Sequence, residues 1–172
     1  MKLFKKFLLI FLAVMIAFFL FLMWYQYNYS MDVVAPYTIN PPTLEKKVLI
    51  ATQGSEFKNK VTGGIVDYFK ADSVYIEVVD ITSLPTINLE KYNALVIIHT
   101  WENWKPPITV QTFIEKYPEH KNKIVVLTTS GEGSYKMEGI DAITGESILA
   151  DAPIFVDTIV ARLNRLLISK EN

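Results

Sequence analysis

The chain has no cysteine and only two histidines, His99 and His120, in 172 residues. The first absence excludes a disulfide framework, a thiolate nucleophile and any cysteine-ligated metal. The second leaves too few imidazoles for a histidine-rich metal centre, so no metal is expected. An excess of one charge is also missing: seventeen Lys and Arg stand against eighteen Asp and Glu, a net charge of -1. Beyond the extreme N-terminus there is no basic stripe, and no nucleic-acid partner is expected. No G-x-S-x-G elbow and no serine-histidine-acid set are present, which removes the usual hydrolase readings and leaves the catalytic residues unknown. Neither Ala51 to Gln53 nor Ile98 to Thr100 supplies the aspartate that a receiver domain needs at a strand end. The length suits one ordinary domain with accessory segments.

What the chain has in abundance is apolar residues, and they begin at once. Lys2, Lys5 and Lys6 precede Phe7 to Trp24, an uncharged run of 18 residues. As a helix it would cover roughly 27 Å, close to a hydrocarbon core of about 30 Å. Trp24, Tyr25, Tyr27 and Tyr29 follow, as aromatic rings do at a membrane interface. No small-x-small cleavage site lies near Trp24, which favours a retained signal anchor over a cleaved signal peptide. Residues 1–24 are therefore expected to be a single transmembrane helix. The lysines ahead of it predict a cytoplasmic N-terminus and an extracytoplasmic C-terminal domain. Residues 25–46, with Pro36, Pro41 and Pro42, read as an extended linker that holds residues 47–172 off the bilayer.

From Lys47 onward apolar runs alternate with helical spacing. Lys47 to Thr52 and Lys123 to Thr128 read as buried strands, and so does Ala94 to Ile98. Ser73 to Ile81 alternates partly, as an edge strand would. Phe57, Val61, Ile65 and Phe69 form one helical ridge, in which Gly63 and Gly64 mark either close packing or a weak helix. Val110, Phe113, Ile114 and Tyr117 form a second ridge. Gly139 to Thr144 is a candidate last strand, and a final helix starts at Ala152, with Asp151 placed to cap it. Ser130 to Glu138 is too short for a crossover helix, so the connection there is abbreviated. The alternation predicts an α/β domain with a parallel sheet.

Polar residues gather where the strands end, the place where open α/β sheets hold their ligands. His99 to Lys105 brings a histidine, two tryptophans, a glutamate and an asparagine to one loop. Gly54, Gly131, Gly133 and Gly145 fall in loops at the same edge, which suits either phosphate contacts or ordinary turns. His99 has an acid-base reading and a structural, hydrogen-bonded one.

KVLIATQGSEFKNKV, ALVIIHTWENWKPPITVQTFIEKY and NKIVVLTTSGEG, in that order and spacing, resemble the three strand-loop units of the flavodoxin-like family. The resemblance covers Lys47 to the C-terminus. It implies a three-layer fold with strand order 2-1-3-4-5, FMN at the strand ends, and electron transfer or quinone reduction as an oxidoreductase activity. The first loop would hold the phosphate through Thr52, Gln53, Gly54, Ser55 and Lys58, the second would flank the flavin with Thr100 and Trp101 or Trp104, and the third would line its edge with Thr129, Ser130 and Gly131. A redox partner protein or a quinone would then be the acceptor. Phe57 replaces the last hydroxyl of the family's T-x-T-G-x-T cradle and Glu56 adds a negative charge. These departures define an alternative: a flavin-free binding or interaction module in which Trp101 and Trp104 anchor a partner.

Overall fold

A computed structural model describes residues 2–29, 31–102 and 104–168; Asn103, read above as part of the second loop, lies outside them. The chain divides into two compact units, Met1–Met31 and Asp32–Asn172. The first is one helix, α1 (Lys2–Tyr29), which contains a 23-residue stretch, Leu3–Tyr25, apolar enough to cross a membrane. Its large side chains are exposed on every side, the pattern of a helix suited to apolar surroundings.

The second unit is an α/β domain built on a six-stranded, mostly parallel sheet. Its strands are β1 (Tyr37–Ile39), β2 (Lys46–Thr52), β3 (Val74–Asp80), β4 (Ala94–Thr100), β5 (Ile124–Thr129) and β6 (Asp141–Gly145). They stand in the order β1-β3-β2-β4-β5-β6, with β1 antiparallel to β3 and every other pairing parallel. The expected order 2-1-3-4-5 is therefore not that of the whole sheet. An added strand from the segment read as a linker occupies the β3 edge, and β3 is interior rather than an edge strand. Numbered without β1, the five parallel strands run second, first, third, fourth, fifth.

Three helices cover the sheet: α2 (Glu56–Phe69), α3 (Ile108–Lys116) and α4 (Ala152–Ile168). The alternation of side chains along the strands divides the core in two. Val48, Ile50, Ile76, Val96 and Leu127 pack with Phe57, Val61 and Ile65 of α2 and Ile159 and Leu163 of α4. On the opposite face Leu49, Leu95, Ile97 and Val126 pack with Val110, Phe113 and Ile114 of α3. The β3–β4 connection is made of two 3₁₀ turns, Ile81–Thr86 and Leu89–Lys91, which add Leu84 and Leu89 to that second face. No helix joins β5 to β6, because the eleven residues from Ser130 to Ile140 are fewer than a crossover helix needs.

Local chemistry fixes the ends of these elements. Ser55 is the N-cap of α2 and its Oγ accepts from the Lys58 N–H at 3.3 Å. Asp80 closes β3 by accepting from the Thr82 N–H at 2.9 Å, and its other oxygen accepts from the Val34 N–H at 3.0 Å. Asp151 lies in a 3₁₀ turn, Leu149–Asp151, that leads straight into α4. The segment from Asp32 to Asn40 is thus part of the domain. Asn40, at φ 65°, ties it down further by donating to the Asp72 and Val74 carbonyls at 3.1 and 2.9 Å.

Candidate functional site

The C-terminal ends of β2, β4 and β5 bring most of the expected residues together. The parallel register sets Thr52 beside Ile98, His99 beside Thr128 and Thr100 beside Thr129. Thr100 is the hub. Its Oγ1 lies 3.0 Å from Thr129 Oγ1 and accepts from Lys58 Nζ at 2.7 Å, while its N–H donates to Gln53 Oε1 at 2.7 Å. Gln53 passes the network on, donating through Nε2 to Glu102 Oε1 at 3.1 Å. Ser55 Oγ is 3.5 Å from Lys58 Nζ.

Lys58 is fully enclosed. Burial pulls its pKa down to about 8, against a smaller opposing pull from the Glu102 carboxylate. An ammonium inside the protein is costly unless hydrogen-bonded, and Thr100 answers part of that need. His99 is equally enclosed; its Nδ1 is 3.2 Å from the Thr100 carbonyl and its Nε2 3.1 Å from Thr128 Oγ1. The carbonyl can only accept, so Nδ1 carries the proton and Nε2 accepts from the threonine. Burial holds the ring neutral, with a pKa near 4. This histidine is a structural group that bridges two strands, which answers the choice left open by the sequence.

The first loop differs most from a phosphate cradle. Thr52 Oγ1 donates to the Gln53 carbonyl at 2.9 Å. Gly54 N–H donates to the Asp32 carbonyl at 2.7 Å, and Asp32 N–H donates back to the Gly54 carbonyl at 3.0 Å. A Cβ on Gly54 would stand 2.6 Å from the Asp32 oxygen, so the glycine is there to admit a strand-like segment of the chain itself. At this loop the Gly54 amide is engaged by Asp32, whereas the Ser55 hydroxyl accepts at the α2 cap and keeps its own proton to donate, and the Lys58 ammonium, with three N–H groups, donates to Thr100. As placed, the Gly54 amide is closed to the phosphate of FMN.

The second and third loops are partly self-filled. Trp101 donates its backbone N–H to the Thr129 carbonyl at 2.7 Å, and its ring lies against Tyr135, centroids 5.8 Å apart and planes 19° apart. A stacking position for a flat ligand is occupied by the β5–β6 connection. Trp101 Nε1 and Ser130 Oγ, one on each of two adjacent loops, are buried and have no hydrogen-bond partner. A groove of about 480 Å³ is lined by Trp101, Pro106, Ile114 and Met137 together with both signs of charge, Lys121 and Lys136 against Glu115 and Glu138. Gly131 is exposed with open space around it. Trp104 is 81% exposed and makes no part of the network.

Asp32, Glu102 and Tyr135 were not among the expected site residues. Glu102 carried a signal in its place beside Trp101. Asp32 sits in a segment without periodicity, and Tyr135 in a connection with no helical or strand pattern, so neither was marked by its neighbours. Among the described residues no group of three or more His, Asp or Glu side chains is arranged to hold a metal ion. Compared with protein-family models and with curated proteins, the chain matches none.

Proposed function

We propose that this chain is a single-pass membrane protein whose extracytoplasmic domain is a flavodoxin-like scaffold adapted to binding a partner in place of FMN. The neighbour relations of the five parallel strands support the scaffold, and the long apolar α1 with lysines at its start supports the anchor and its orientation. The observation that carries the absence of flavin is the Asp32–Gly54 pairing, which spends the amide that a phosphate would use. The partner site is the groove lined by Trp101, whose indole N–H lacks a partner of its own. A buried donor left unpaired costs about 1–3 kcal/mol, so a ligand that reaches it gains that much in addition to apolar contact.

A second reading keeps the flavin. The convergence of Ser55, Lys58, Thr100 and Thr129 at the strand ends favours it, since hydroxyls and an ammonium are what a phosphate would recruit once Asp32 withdrew. The domain would then pass electrons to a redox partner protein or a quinone in the membrane. One titration separates the two. Full-length protein in lipid nanodiscs is mixed with FMN and the quenching of flavin fluorescence is followed, then the sample is desalted. The binding-module reading expects no quenching and a colourless protein. Stoichiometric retained flavin would overturn it and establish the electron carrier. Protease protection in sealed vesicles tests the orientation, since a C-terminal domain protected on the cytoplasmic side contradicts the lysine-based assignment.

A further inference from the structure

The core takes one face of α2 for the sheet and one flank for α4, and leaves a third face to neither. Phe57, Val61, Ile65 and Phe69 are buried with the strands, and Gly64 packs on Val156 of α4. Lys60, Gly63, Gly64 and Asp67, at i, i+3, i+4 and i+7, line the remaining face. Lys60 and Asp67 are exposed, and a Cβ on Gly63 would meet nothing within 4 Å. Along this face runs a groove of about 470 Å³, walled on its other side by Ala152, Pro153, Val156 and Asp157 of α4. Ile154, next to Pro153, is 64% exposed. Among the described residues the salt bridges join Arg162 to Asp141 and His120 to Glu119, so Lys60 and Asp67 enter none.

The order of the charges says what covers this face. Lys60 and Asp67 stand two helical turns apart, roughly 10 Å, and the point midway between them falls between Gly63 and Gly64. Turning the helix end for end about that point carries residue 60 onto 67 and residue 63 onto 64, so the face is complementary to its own reversed copy. The same reversal sets Glu56, one turn before Lys60, against Ala71, and no acid meets an acid between the two helices. Two copies running in the same direction would instead place Lys60 against Lys60 and Asp67 against Asp67, which repel. We propose that a second copy of the chain docks here: α2 lies antiparallel to α2 about a two-fold axis between Gly63 and Gly64, and Lys60 of each copy faces Asp67 of the other.

Such a contact uses one patch twice, as two-fold dimers do. Asp157 shares the groove with Lys60 of its own copy, so each lysine has a carboxylate on either side. The glycines keep the face low, which lets a second backbone come close and cover Pro153 and Val156. The surface belongs to α2 and α4, on the opposite side of the sheet from α3, and the inference therefore stands apart from the partner site at Trp101.

Sedimentation equilibrium of the full-length protein in density-matched micelles, over a range of concentrations, tests the contact. Lys60→Asp makes both charges of the face acidic, and Asp67→Lys makes both basic. Both positions are exposed, and melting curves check that each variant folds. The wild type is expected to form dimers reversibly. Each single variant alone is expected to associate about tenfold more weakly or worse, because two attractions become two repulsions. An equal mixture of the two variants is expected to regain an affinity like that of the wild type, since an acidic face then meets a basic one. A wild type that stays monomeric overturns the proposal and leaves the groove to a different protein. Dimers that both single variants retain overturn it in favour of another surface, α1 included. A loss that mixing does not restore overturns the antiparallel pairing of α2 with α2.

Discussion

Gly54 and Asp32 exchange two backbone hydrogen bonds, at 2.7 and 3.0 Å, and so the segment leading into the sheet seals the loop after its first parallel strand. The exchange depends on the missing side chain. Gly54→Ala sets a methyl against the Asp32 carbonyl at 2.6 Å, an overlap with backbone that only a shift of the segment relieves. The variant is expected to lose about 1–3 kcal/mol, in the range of other overpacking changes. Chemical denaturation measures the loss, and faster hydrogen exchange at the residue 54 amide locates it.

Gly63 and Gly64 are adjacent in α2 and separate cleanly. A Cβ at Gly63 meets nothing within 4 Å, whereas one at Gly64 stands 2.6 Å from Val156 Cγ2 of α4. Gly63→Ala is expected to raise stability by about 1 kcal/mol through helix propensity and a less flexible unfolded chain. Gly64→Ala is expected to lower it by about 1–3 kcal/mol by forcing the two helices apart. Melting curves of the two variants should move in opposite directions, and a shared direction would contradict the packing of α2 on α4.

His99 sets an acid limit. Its folded pKa near 4 lies below the ordinary 6.5, so on acidification the unfolded chain takes up a proton first. The histidine's contribution is fully present above pH 6.5 and is lost as pH falls toward 4. A shift of this size is worth about 3 kcal/mol. His99→Gln, which can still bond to a threonine, should flatten the dependence of unfolding free energy on pH across that window.

Lys58 acts at the alkaline end. Its pKa is lowered to about 8 from 10.5, so between those values the unfolded lysine holds a proton that the folded one has released. Stability relative to Lys58→Met should therefore rise by about 3 kcal/mol from pH 8 to 10.5, and stay level below pH 8, where both states are charged. Urea unfolding of the pair at several pH values tests this, and parallel curves would show that the ammonium is better solvated than its burial implies.

The sequence made β4 legible because Ala94 to Ile98 is an unbroken apolar run, yet the strand continues through His99 and Thr100. Those two are polar residues whose needs are met by Thr128 and Thr129 on the next strand, and a neighbour distant in sequence leaves no local trace. The same reason hid β1. Tyr37–Ile39 is three residues long and lies between Pro36 and Pro41, too short for an alternation to register. At the site, the chemical types at the strand ends could be read directly, and Thr100, Lys58 and Thr129 do converge. What no periodicity could announce was that Asp32 and Tyr135 come from outside to fill the positions a ligand would take.

The double hydrogen bond at Gly54 also has a mechanical meaning. Tension drawn through residue 31 meets the Asp32–Gly54 pair first, then the bond from Val34 to the Asp80 carboxylate, and then the short ladder of β1 on β3. These lie in series along the chain, so they yield one after another under pulling, ahead of the ladders that join the five parallel strands. The first effect of such a pull is to open the loop between β2 and α2, which makes that loop the part of the domain most directly coupled to force entering at residue 31.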